Sequence, residues 1–192
     1  MTKTEASRTI TDSRVLAAMA HPLRRRLLDA LKVDGPSTAS MLANRTGQAI
    51  GNVSHHMKVL AQAALVEEAP QLARDRRERW WRLSDTSRRW SSTSFDDDPA
   101  AAAVADAAAS LGLDHHVAKV RAWRAQRETA DVAWSDAAFS IDTWLQLTPT
   151  ELAELSEQIV SLLRQWSTRD TTGEGAQRQP VFVFAYGVPA TP

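Results

Sequence analysis

The chain has 192 residues, no cysteine, and 23 basic against 23 acidic residues. Without cysteine, disulfides, thiolate metal ligands and thiol redox chemistry are excluded, and 43% apolar with 24% charged residues is the balance of a soluble globular protein. The neutral total hides a division: residues 1–94 hold 16 Lys and Arg against 9 Asp and Glu, while residues 95–192 hold 7 against 14, and a basic half of this kind suits a polyanion.

From the N-terminus, Val15, Leu16 and Met19 mark a short helix. His21-Pro22 then opens a second, with Leu23, Leu27, Leu28 and Leu31 at helical spacing. Gly35-Pro36 stops it, and Ser37 or Thr38 caps a short third helix with Met41 and Leu42 expected inside. Thr46-Gly47 provides the sharp turn that joins two helices. A fourth helix is expected over residues 50–63, with Val53, Met57 and Leu60 towards the core.

Two short strands follow, residues 65–68 and 78–83, around an arginine-laden loop. Helices followed by a two-stranded hairpin give the winged-helix order. Residues 84–98 read as a linker, and Asp98-Pro99 as the start of a long helix reaching residue 127, with an approximate stripe of Val104, Ala108, Leu111, Val117 and Val120. Residues 139–147 alternate as a strand. Thr148-Pro149-Thr150-Glu151 is a capping box for a helix striped by Leu152, Leu155, Ile159, Leu162, Leu163 and Trp166, and residues 181–184 form a last strand. The expected fold is therefore mainly α with a small β content. A winged helix-turn-helix occupies residues 1–90, and residues 91–192 hold a long dimerisation helix and a small β-α-β unit.

On the fourth helix, Gly51, Ser54, His55, Lys58 and Gln62 fall on one polar stripe opposite the apolar one, with Asn52 at its edge near the helix start. The first turns of a recognition helix reach base edges in the major groove. Asn52 has the donor and acceptor to read adenine, and His55 can donate to guanine. Gly51, Asn52, Ser54, His55 and Lys58 are the candidate base-reading residues. Arg74, Arg76, Arg77 and Arg79, in the wing, are candidates for phosphate contact or a narrow minor groove. Of the neighbours Trp80 and Trp81, strand geometry turns one beneath the sheet and the other outward.

The run from Leu16 to Leu28 (LAAMAHPLRRRLL), the segment Val53-Ser54-His55-His56-Met57-Lys58-Val59-Leu60 with Ala64-Leu65-Val66, and Arg79-Trp80-Trp81-Arg82-Leu83 together resemble the ArsR-like winged-helix repressors over residues 13–85. The resemblance implies a homodimer on an inverted-repeat operator in double-stranded DNA, repression relieved by a ligand, and an inward-packing His56. The chain departs from the metal-sensing members. Asp114-His115-His116 matches half of their C-terminal helix site, but Arg127 and Ala130 stand where the remaining ligands would be. No metal and no cofactor is expected, so a small apolar organic effector is expected instead, in a pocket lined by Trp123, Trp144 and Trp166. The same aromatics could also be core or dimer interface. A polar N-terminus without a signal-peptide core and the absence of a membrane-spanning stretch point to the cytoplasm and to no membrane partner. No phosphate loop, nucleophile elbow or complete metal set suggests an enzyme. The alternatives are a winged-helix protein-interaction module and a metal-responsive repressor.

Overall fold

The computed structural model describes residues 8–9, 13–75, 78–84, 88–89, 98–170 and 178–192. It divides into two compact units, Met1–Ala118 and Lys119–Pro192. The division lies within the long helix rather than in the linker before it, because the first part of that helix is packed into the N-terminal core.

In the first unit a two-residue strand β1 (Arg8–Thr9) precedes the helices α1 (Ser13–Met19) and α2 (Pro22–Asp34). The start of α2 carries Pro22 and is capped by the His21 ring, whose Nδ1 accepts the Leu23 N–H at 3.2 Å. Strand β2 (Ser37–Thr38) leads straight into α3 (Ala39–Thr46), where the Thr38 hydroxyl accepts the Met41 N–H. Gly47, at φ +66°, ends α3 in the left-handed conformation that favours glycine. Helix α4 (Ile50–Gln62) begins three residues later. Strand β3 (Val66–Glu68), a 3₁₀ turn at Pro70–Leu72 and strand β4 (Trp80–Leu83) complete the wing. The sheet order is β2-β4-β3 and both pairings are antiparallel, with Glu67 opposite Arg82 and Ser37 opposite Trp81. A further strand β5 (Arg88–Arg89) runs parallel to β1.

The core of this unit gathers Leu23, Leu27 and Leu31 of α2, Leu42 of α3, Val53, Met57 and Leu60 of α4, Val66 of β3 and Trp81 of β4. Each face expected inside α2 and α4 is inside. The Met41 expected inside α3 is 45% exposed, and Leu42 and Ala43 are the α3 residues in the core. Strand β2 was not anticipated, since two residues carry no periodicity.

Helix α5 (Pro99–Gln126) starts under Asp98, whose carboxylate accepts the Ala100 and Ala101 N–H groups. Its buried face is Ala101, Ala105, Ala108 and Gly112 rather than the larger residues expected, and Leu111 and Val120 stand at 38% and 41% exposure. The small side chains let α5 close on Val15, Leu16 and Ala18 of α1 in a second core. The apolar face of α1 is thus covered within one copy. The helix runs unbroken through Gly112, which makes room for the Arg25 guanidinium; a Cβ there would approach it to 3.1 Å.

The second unit holds the end of α5, a 3₁₀ turn at Arg127–Thr129, α6 (Val132–Ala137) and α7 (Pro149–Thr168). The capping box is formed as expected: the Thr148 hydroxyl accepts the Glu151 N–H and the Glu151 carboxylate accepts the Thr148 N–H. The expected β-α-β unit is not formed. Residues 139–147 and 178–192 run without strand assignment, and the strands of both sheets lie in the first unit. A strand exists only where a neighbour pairs with its backbone, and the described residues of one chain supply none to 139–147. No helix among the described residues is long and apolar enough to cross a membrane.

Candidate nucleic-acid interface

Helix α4 separates its two faces cleanly. Val53, Met57 and Leu60 are fully buried, whereas Gly51, Asn52, His55, Lys58 and Gln62 are exposed and Ser54 is half-buried. The stripe expected to read bases is therefore presented on one side of a helix whose other side is locked into the core. Three features at its entrance were not legible from periodicity. Gln48, in the turn, accepts the Asn52 amide N–H at 3.1 Å and fixes the direction of that side chain. Ile50, the first residue of α4, is 55% exposed, and Met41 is exposed on the preceding helix. Apolar groups at the tip of a recognition helix suit the thymine methyl group. The Gln48–Asn52 pair, four residues apart, is the one signal a reader of the sequence could have used.

The wing is less free than its arginine content suggested. Arg79 lies 3.2 Å from Glu68, and Arg82 lies 2.6 Å from Glu67, in keeping with the cross-strand register. Glu78 binds the Arg74 backbone N–H, which turns the loop back, and the Arg74 side chain is exposed. Arg76 and Arg77 lie outside the described residues. Trp81 is buried beneath the sheet and Trp80 is half-buried, as alternation required.

The three consecutive arginines of α2 are structural. Arg24 donates to the Ala17 carbonyl, Arg25 to the Ala108 carbonyl and Arg26 to the Thr46 carbonyl, tying α2 to α1, α5 and α3. Arg45 pairs with Asp34. These guanidinium groups keep their charge, but their geometry is fixed by contacts within the fold.

His56, on the buried side of α4, lies against His21 with ring centroids 4.4 Å apart and the planes tilted by 41°. Burial is the main cause that lowers its pKa from the ordinary 6.5, followed by the neighbouring charges of His21, Arg24 and His55. The His21 pKa is lowered by burial and then by Arg24. Both shifts favour the neutral ring.

His115 Nε2 meets the Asp29 carboxylate at 2.7 Å, joining α5 to α2. The half-site residue nearest to a ligand role is engaged within the fold, and Asp114 is exposed. Among the described residues no three His, Asp or Glu side chains converge as a metal site. In the second unit Trp144 and Trp166 are 64% and 58% exposed, and Trp123 is half-buried. A cavity of about 410 Å³ there is lined by Arg124, Arg127, Glu128 and Ser135, and by none of these tryptophans.

A family model described as a helix-turn-helix domain matches residues 19–69, the span from the end of α1 to β3. No curated protein matches the chain. The chain carries a helix-turn-helix domain of the kind that binds DNA in transcription regulators.

Proposed function

We propose that the protein is a sequence-specific, duplex-binding transcriptional repressor of the ArsR-like winged-helix type, acting as a homodimer on an inverted-repeat operator. The observation that carries this is the exposed polar face of α4, with Gly51, Asn52, His55 and Lys58 presented together over a fully buried opposite face. In the major groove, Asn52 held by Gln48 offers a donor and an acceptor to one adenine, and His55, one turn on, meets the next base pairs. Lys58 and Arg74 neutralise phosphates on either side. Repression follows where the occupied operator overlaps a promoter. Relief by an apolar organic effector rests on the aromatic content of the second unit alone. With Trp144 and Trp166 in solvent, such a molecule would need a seat completed by a second copy.

The test is duplex binding as a function of salt. About six phosphate contacts give a slope of log affinity against log salt of roughly −5, and a selected duplex should bind at least 10³-fold more tightly than a scrambled one. Affinity independent of salt, or equal for both duplexes, would overturn the reading in favour of a protein-interaction module.

A further inference from the structure

Residues 139–147 (Phe-Ser-Ile-Asp-Thr-Trp-Leu-Gln-Leu) have a strand's alternation and no strand partner. Their exposures are those of a surface awaiting cover: Phe139 71%, Ile141 81%, Trp144 64%, Leu145 54% and Leu147 42%. None of the backbone–backbone hydrogen bonds among the described residues involves these nine. A segment with a strand's alternation, no backbone partner among the described residues and exposed apolar side chains is a candidate for strand addition.

We infer that this segment pairs with itself in a second copy of the chain, as an antiparallel two-stranded ribbon centred on Thr143. The occupant is identified by self-complementarity. In the register that places Thr143 opposite its own counterpart, Phe139 faces Leu147, Ile141 faces Leu145, and Ser140 faces Gln146. Every apolar position on the odd-numbered face meets an apolar one, and Thr opposite Thr is a favourable cross-strand pair. The single charge, Asp142, falls opposite Trp144, so the two carboxylates do not confront each other. No register shifted by one residue keeps this match, because such a slip moves each side chain to the other face.

The area agrees. The exposed parts of Phe139, Ile141, Trp144, Leu145, Leu147 and Trp166 amount to roughly 600–800 Å² per copy, taking 150–250 Å² for each aromatic and about 180 Å² for each Leu or Ile, within the ~600–1,000 Å² per partner of a standard specific interface. A bare ribbon is marginal in water unless one face is covered. Helix α7 begins directly after the segment and carries Leu162, Leu163 and Trp166 at 53%, 39% and 58% exposure, a second apolar layer for that purpose. The ribbon supplies the partner contact on which the dimeric operator reading rests, since the apolar face of α1 is already covered by α5 within one copy.

The cysteine-free chain makes the register directly testable. Paired residues in an antiparallel ribbon have Cα atoms about 4.5–5.5 Å apart, inside the disulfide range. Thr143→Cys in the full chain should therefore form a covalent dimer under a mild thiol oxidant such as diamide. Ile141→Cys alone should not, its copies being roughly 13 Å apart, yet it should cross-link when mixed with Leu145→Cys. Ile141→Asp should raise the dimer dissociation constant at least tenfold in sedimentation while leaving helical circular dichroism unchanged. The inference is overturned if Thr143→Cys stays uncross-linked, if Ile141→Cys cross-links with itself as readily, or if Ile141→Asp dimerises normally. A chain that binds an inverted repeat without the Thr143→Cys cross-link sinks the ribbon and spares the operator reading. Cross-linking without duplex binding does the reverse.

Discussion

At the scale of single residues, the interface is a matter of which side chains are held and which are presented. Asn52 is both: its amide is anchored to Gln48 and its remaining donor and acceptor point outward from α4. Asn52→Ala and His55→Ala should each cost about 1–3 kcal/mol on the preferred duplex and relax selection at defined base pairs, as read by competition binding. Gln48→Ala, acting only through the direction of Asn52, should reduce selectivity by less while leaving binding to scrambled duplex unchanged. Lys58→Ala should lower the salt slope by about one unit. Arg79→Ala should lower it less, since Arg79 already faces Glu68. Burial favours the neutral rings of His21 and His56. The unfolded chain therefore takes up protons that the folded one refuses. Their contribution is fully present above the ordinary pKa near 6.5 and is lost as pH falls below it, so the urea midpoint should drop on acidification, and less steeply in His56→Gln. The polar stripe of α4 could be read from the sequence because helical periodicity fixes faces. The engagement of the α2 arginines and of Arg79 and Arg82 could not, because it depends on which carbonyl or carboxylate the fold brings near.

At the scale of elements, local signals that act within a few residues were legible, and those that need a distant neighbour were not. The caps at Thr38, Asp98 and Thr148 and the turn at Gly47 are where their residue types placed them. Thr148→Ala removes a complete capping box and should destabilise α7 by about 1 kcal/mol, visible as lost helicity on mild heating. Of the stripe expected on helix α5, Ala108 is buried while Leu111 and Val120 are exposed. Its large residues suggested a stripe, but contact with α1 selects Ala101, Ala105 and Ala108, because only small side chains allow so close an approach. Gly112→Ala would crowd the Arg25 guanidinium and weaken its bond to the Ala108 carbonyl. Hydrogen exchange of α5 should then quicken while α4 is unaffected. Residues 139–147 carry a strand's pattern faithfully. What the pattern does not specify is the neighbour, and the expected partner at 181–184 does not pair with it.

At the scale of the whole molecule, the N-terminal unit extends past the wing and takes in α5 to residue 118. A fragment ending at residue 118 should unfold cooperatively. One ending at residue 85 uncovers Val15, Leu16 and Ala18 and should lose on the order of 3 kcal/mol, read as a lower urea midpoint. Arg79 and Arg82 of the wing face Glu68 and Glu67, so duplex affinity should depend on α4 at least as much as on the wing. The most direct test of the account is a footprint of the full chain on duplexes selected from a random pool. Two protected half-sites in inverted orientation, about 10 base pairs from centre to centre, with Asn52→Ala losing selection at the same position in each half, is the predicted result. A single asymmetric footprint, or a pattern of selected bases indifferent to Asn52, would contradict it.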